Sequence, residues 1–338
     1  MLARISLQKG FYNKETFMTL RFASLAAALC ILAPQAHATQ TYPDKPVRII
    51  VPWTPGQATD VAARAAGEKL AVALGQPFIV ENRAGAGGTI GATAVAKSEA
   101  DGYTLLAGSS GSVTVNPLLM KSGFSPSDLE PAGLVAKVPY VLVTSSDFPA
   151  KTAQELIDLL RKSPEKYTFA SSGNGSIGHL TAEVFMDSAG IKAQHIPYKG
   201  SAAALTDVLS GQVSFMWDSV ASVAPHVKSG RARAYAVSSA QRSASMPDVP
   251  VLAEVSEIKG FDMVAWVGLM APKGTPEDRL ERINQALLES LRAGDVAQQF
   301  VTLGIDPYPA SRQEARKVLA AENQRVSEMI QRLGITPQ

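Results

Sequence analysis

The chain has 338 residues and a formal net charge of +2, long enough to bury a large core without covalent staples. Arg4, Lys9, Lys14 and Arg21 stand against Glu15 in residues 1–38, which leaves the remainder at −1. With no basic tract anywhere, that balance excludes a nucleic-acid footprint. The one cysteine, Cys30, lies in the N-terminal apolar run, so the rest of the chain is neither a disulfide scaffold nor a cysteine-nucleophile enzyme.

Residues 1–38 read as a cleaved signal peptide. Arg21 precedes the apolar run Phe22 to Ala33, and Ala36-His37-Ala38 puts small residues where a signal peptidase needs them. Met18 is an alternative start. Nothing here or later is long enough and apolar enough to span a bilayer, so the expectation is export to the periplasm without membrane insertion. From Thr39 onward, Val47–Val51, Phe78–Val80 and Tyr103–Ala107 are short β-branched or apolar runs of the kind that form buried parallel strands. Between them lie helical patterns at Asp60–Leu74, stopped by Gly75, and at Ala92–Lys97. After an extended stretch, Ala132–Val143, the grammar restarts. Helices are expected at 153–162, 179–188, 202–209 and 224–228, alternating with strands at 167–170, 194–197, 213–217 and 232–237. A strand-like run, Val264–Met270, and two amphipathic helices, 276–292 and 312–333, complete the chain. Two βα sets predict an α/β protein of two lobes, each a mainly parallel sheet flanked by helices. The expected division is 39–142 plus 238–338 for one lobe and 143–237 for the other.

Three loops share one design, in which a strand ends, a Gly- or Ser-rich turn follows and a helix starts. They contain Trp53, Pro55, Gly56, Gln57, Ala58 and Asp60; Ser109 and Ser110; and Ser172, Gly173, Asn174, Gly175, Ser176 and His179. Backbone N–H groups at such helix starts favour an anion, and glycine lets a ligand approach the backbone. The plainer reading is that these polar residues only cap their helices. In open α/β sheets, loops of this kind gather beyond the carboxyl ends of the strands. Asp218 ends the strand expected at 213–217 and suits either a helix cap or an acceptor for a ligand hydroxyl, amine or water. Trp53 and Trp217 are candidates for stacking on a ligand or for the core.

Enzyme readings find little support. Gly173, Gly175 and Gly178 spell a dinucleotide fingerprint, but the acid such a site needs about 20 residues on is absent from His195–Lys199. Gly108-Ser109-Ser110-Gly111 fails the nucleophile-elbow pattern by one residue. The histidines at 179, 195 and 226 lack metal spacing. No catalytic residue, metal or cofactor is expected. His179 and Asp218 are the bases that a small α/β enzyme acting on a carboxylate would use.

Six landmarks in order carry a resemblance over nearly the whole chain after residue 38. They are Tyr42–Pro52, Glu81–Gly88, Asp101–Leu106, Ser171–Gly175, His195–Gly200 and Pro247–Pro250. The chain resembles the Bug, or TctC-like, family of periplasmic receptors for tripartite tricarboxylate transporters. The resemblance implies a type 2 periplasmic-binding (Venus-flytrap) fold, with a small carboxylate held in the interlobe cleft by the first and third loops. It also implies that Asp218 and the Tyr198-Lys199-Gly200 segment belong to the site, and that membrane subunits of a transporter are the partners. Gln57 stands where the family commonly has glycine, and Trp53 where phenylalanine is common. A carboxylate sensor feeding a signalling system is the alternative role, and a monomer is the expected state.

Overall fold

The computed structural model describes residues 42–164 and 166–334. The expected signal peptide lies outside the described residues. Ten strands form in chain order: β1 Val47–Val51, β2 Phe78–Asn82, β3 Thr104–Ser109, β4 Leu129–Ser145, β5 Thr168–Ser171, β6 Gln194–Pro197, β7 Phe215–Ser219, β8 Ala232–Val237, β9 Val264–Pro272 and β10 Asp306–Ala310. They hydrogen-bond in the order β2-β1-β3-β9-β4-β7-β5-β6, with β8 and β10 also paired to β4.

The two-lobed α/β class expected from the sequence is what forms, with a mixed sheet. Strand β1 pairs in parallel with β2 and β3, and β5 with β6 and β7. Everything that joins these two ends is antiparallel: β3–β9, β9–β4, β4–β7, β4–β8 and β4–β10. The stretch read as merely extended is the 17-residue strand β4. Its residues from Leu129 to Pro139 pair with β9, and those from Tyr140 onward pair with β7 and β8. Proline lacks a ladder donor, and the change of partners falls at Pro139. Ser238, just after β8, meets β4 at the same point. Its N–H donates to Tyr140 O at 2.8 Å, its Oγ accepts from Tyr140 N at 2.9 Å, and Met263 N donates to its carbonyl at 2.8 Å.

Helices cover the sheet as the patterns require. In Ala58–Leu74 the buried face is Ala62, Ala63, Ala65, Ala66 and Leu70, small enough for the helix to lie close on β1 and β2. All six residues of β3 are buried, as a strand covered on both faces must be. Because strands β1, β3, β5 and β7 end toward one crevice, the loops after them meet there.

Candidate functional site

The first loop is braced from behind. Asp60, 3 % exposed, accepts hydrogen bonds from Arg64 Nε (3.1 Å), Asn82 Nδ2 (2.8 Å) and Gly56 N–H (3.0 Å). Burial pushes this carboxyl up, but the donors outweigh burial and hold it below the usual range. Asn82 also donates to Trp53 O at 3.0 Å, which fixes the strand end, and Trp53 Nε1 donates to Ser109 Oγ at 3.0 Å, tying the first loop to the second. Gln57 occupies the N-cap position of Ala58–Leu74 without capping it; its amide donates to Thr54 Oγ1 at 3.2 Å instead. Among the described residues, no protein acceptor serves the N–H groups of Ala58 and Thr59. A helix start left open in this way is an anion site in waiting.

The second loop continues into a wide helical turn, Ser110–Val115, opened by a reciprocal cap between Ser109 and Ser112. Ser110 turns away from the crevice. Its hydroxyl donates to Glu322 Oε1 at 2.6 Å and accepts from Trp266 N at 3.0 Å. In the third loop, Ser176 caps Ile177–Ala189 by accepting from His179 N–H at 3.3 Å. Under that loop, His179 and His195 stack at 4.1 Å with 7° between their planes, and Phe169 stacks with His195 at 4.7 Å. Burial, with His179 alongside, pushes His195 down to about 3. The neutral imidazole hydrogen-bonds Ser171 Oγ at 2.7 Å, and His179 Nδ1 accepts from Gly175 N–H at 3.2 Å. The histidines thus hold the third loop in shape.

Asp218 lies within β7, 4 % exposed. Its Oδ1 accepts from Ser201 Oγ at 3.0 Å and Ser219 N–H at 2.7 Å. Burial pushes its carboxyl up to about 6 against the pull of those two donors.

These elements line a narrow cleft with only about 30 Å³ of open cavity. Of the residues expected from sequence, Trp53, Gln57, Ala58, Ser109, Ser172, Ser176 and Asp218 line it. Gly200 borders it, buried against Thr54 and Gln57. The others stand back. Pro55 and Gly56 are exposed on the outer turn, and Gly173 and Asn174 are half-buried in the third loop. Asp60, Ser110 and His179 lie behind the wall. Tyr198 donates to Asp207 at 2.5 Å, and Lys199 is exposed. Trp217 is a core aromatic, packed on Phe185 and Phe261. Sequence reasoning missed Thr59, Gly111, Tyr140, Ser201 and Trp266 as lining residues. Thr59 and Gly111 sit within recognised loops, but nothing local marks the other three.

The polar lining is neutral apart from Asp218: hydroxyls of Thr59, Ser109, Ser172, Ser176, Ser201, Ser219 and Tyr140, and the Gln57 amide, with no lysine, arginine or histidine. Residues 62–335 match the family model described as the tripartite tricarboxylate transporter family receptor. A Rhodopseudomonas palustris protein solved with adipate superposes with a TM-score of 0.85 at 31 % identity, covering 88 % of this chain and 100 % of that one. The periplasmic binding protein BugD gives 0.82 at 34 % identity over 88 % and 100 %. MatC from Rhodopseudomonas palustris, solved with bound malate, gives 0.79 at 30 % over 86 % and 100 %.

Proposed function

The chain belongs to the family of tripartite tricarboxylate transporter receptors, and from that premise we propose that it is a periplasmic, non-enzymatic receptor that captures a small carboxylate and delivers it to the transporter's membrane subunits. The observation that carries this reading is the open helix start at Ala58 and Thr59, facing a cleft whose other donors are hydroxyls and an amide. Neutral donors and a helix dipole hold a carboxylate without a cation. The ligands of two similar structures, adipate and malate, are small carboxylates.

In this reading residues 39–142 and 238–338 form one lobe and 143–237 the other. They close by a hinge where β4 changes partners at Pro139–Tyr140 and where Ser238 crosses back. Closure is driven by tighter binding to the closed state. Export by the segment ending at Ala38 and action as a monomer complete the proposal.

Thermal melting against a panel of aliphatic di- and tricarboxylates, acidic amino acids and aromatic carboxylates tests it. A ligand at about 100 times its dissociation constant adds ~2.7 kcal/mol, and at roughly 2–4 °C per kcal/mol a true ligand raises the melting point by several degrees. A folded, empty protein that shifts with no carboxylate would overturn the reading.

A further inference from the structure

Asp218 carries unused capacity. Its Oδ1 is satisfied by Ser201 and Ser219, but Oδ2 is buried and has no partner among the described residues. The residue lines the cleft, where no lysine, arginine or histidine offers a counter-charge. An unpaired buried carboxylate oxygen is costly, and a second carboxylate brought beside it adds like-charge repulsion. The cost is relieved when the incoming molecule brings its own donor. The open amides of Ala58 and Thr59 belong to the same cleft, so the lining offers an anion seat and an acceptor together.

We propose that the ligand is a small carboxylate that also bears a hydrogen-bond donor, hydroxyl or ammonium, which Asp218 Oδ2 accepts. This rests on the carboxylate-receptor reading and narrows it. Plain diacids are second-rank ligands, and hydroxy acids or amino acids are first-rank. Both donors share one chemistry, and an ammonium additionally neutralises the aspartate.

Isothermal titration calorimetry at pH 8 tests this with three matched sets that differ only by hydrogen, hydroxyl or ammonium on one carbon. The sets are succinate, malate and aspartate; adipate, 2-hydroxyadipate and 2-aminoadipate; and phenylacetate, mandelate and phenylglycine. In the set that binds, the donor-bearing members are expected to bind about 10- to 100-fold tighter than the parent acid. Whichever of the two is tighter identifies the donor. Asp218→Ala is expected to collapse the difference to about twofold or less. Asp218→Asn keeps an acceptor for Ser201 and Ser219 but places an amide donor where Oδ2 was. It is expected to reverse the preference for an ammonium, which only donates, and to shrink without reversing the preference for a hydroxyl, which can turn to accept from the amide, so a poorly folded alanine variant does not end the test. No preference in the parent protein, or a preference that survives both substitutions, overturns the inference while leaving a carboxylate receptor in place. Failure of all nine acids to bind, together with a melting point unmoved by every acid of the wider panel, takes down the small-carboxylate reading and this inference with it.

Discussion

A Gly175→Ala protein folds but binds its ligand about 10- to 100-fold more weakly than the parent. Gly175 has φ +70°, where a side chain is strained. A Cβ built there would lie 2.0 Å from Asn116 Oδ1 and 3.1 Å from its Cγ. Asn116 cannot step aside, because it is fully buried and its amide donates to Gly87 O. Gly87 is tight as well, with a Cβ there 2.6 Å from Asn116 Nδ2. The clash is relieved by moving the third loop, and with it Ser172 and Ser176, away from the segment that follows Ser109 and Gly111. Overpacking of this kind costs roughly 1–3 kcal/mol, and each 1.4 kcal/mol lost from the bound arrangement is about tenfold in affinity. Gly190→Ala is the matched control. Its φ is +62°, and nothing lies within 4 Å of its added Cβ. It is expected to lose a comparable ~1 kcal/mol of stability with unchanged affinity. Calorimetric titration and melting of both variants check this; equal affinity in the two would remove the Gly175–Asn116 contact from the binding mechanism.

Glu322→Ala is expected to cost about 3–5 kcal/mol of stability, the largest single loss outside the apolar core. This carboxylate is 6 % exposed on helix Arg312–Leu333 and gathers three donors: Ser110 Oγ at 2.6 Å, Thr114 Oγ1 at 2.8 Å and Trp266 Nε1. Removing it strands three buried polar groups, each worth roughly 1–3 kcal/mol when unsatisfied. Arg325, 4.0 Å away and about half exposed, adds little. Burial pushes the Glu322 carboxyl up, against the pull of its three donors. A carboxyl raised on folding gives up stability as pH rises beyond its unfolded value, so the deficit of the alanine variant narrows from pH 5 to pH 8. Urea denaturation at the two pH values measures both effects. A loss below about 1 kcal/mol would show that the donors find other partners.

What the sequence made legible was local. Strand runs, helix stops and the three loop signatures each sit within a few residues of one another, and most expected elements formed within a few residues of their limits. Strand β10 was hidden because Pro307 and Pro309 argue against a ladder, and it pairs with β4 only through Asp306, Pro307 and Ala310 across an irregularity. The loops were found, but the side-chain directions within them were not. His179 lies in the first turn of its helix, which starts two residues earlier than expected, and it stacks on His195 instead of facing the cleft. Asp60 supports the loop it was expected to serve from within. The cleft's deeper wall joins residues far apart in the chain. Ser110 meets Glu322 across 212 positions, and in the sequence Glu322 is one more acid on an amphipathic helix. Only the fold brings Ser201 to Asp218 and Trp266 to the back of the second loop.

The most direct measurement is a crystal structure of the protein with its tightest-binding acid. A carboxylate is expected with oxygens about 2.7–3.1 Å from the backbone nitrogens of Ala58 and Thr59, enclosed by Ser172 and Ser176 and free of any lysine or arginine. A carboxylate ion-paired instead in the open groove lined by Lys137, Arg242 and Arg325 would contradict it.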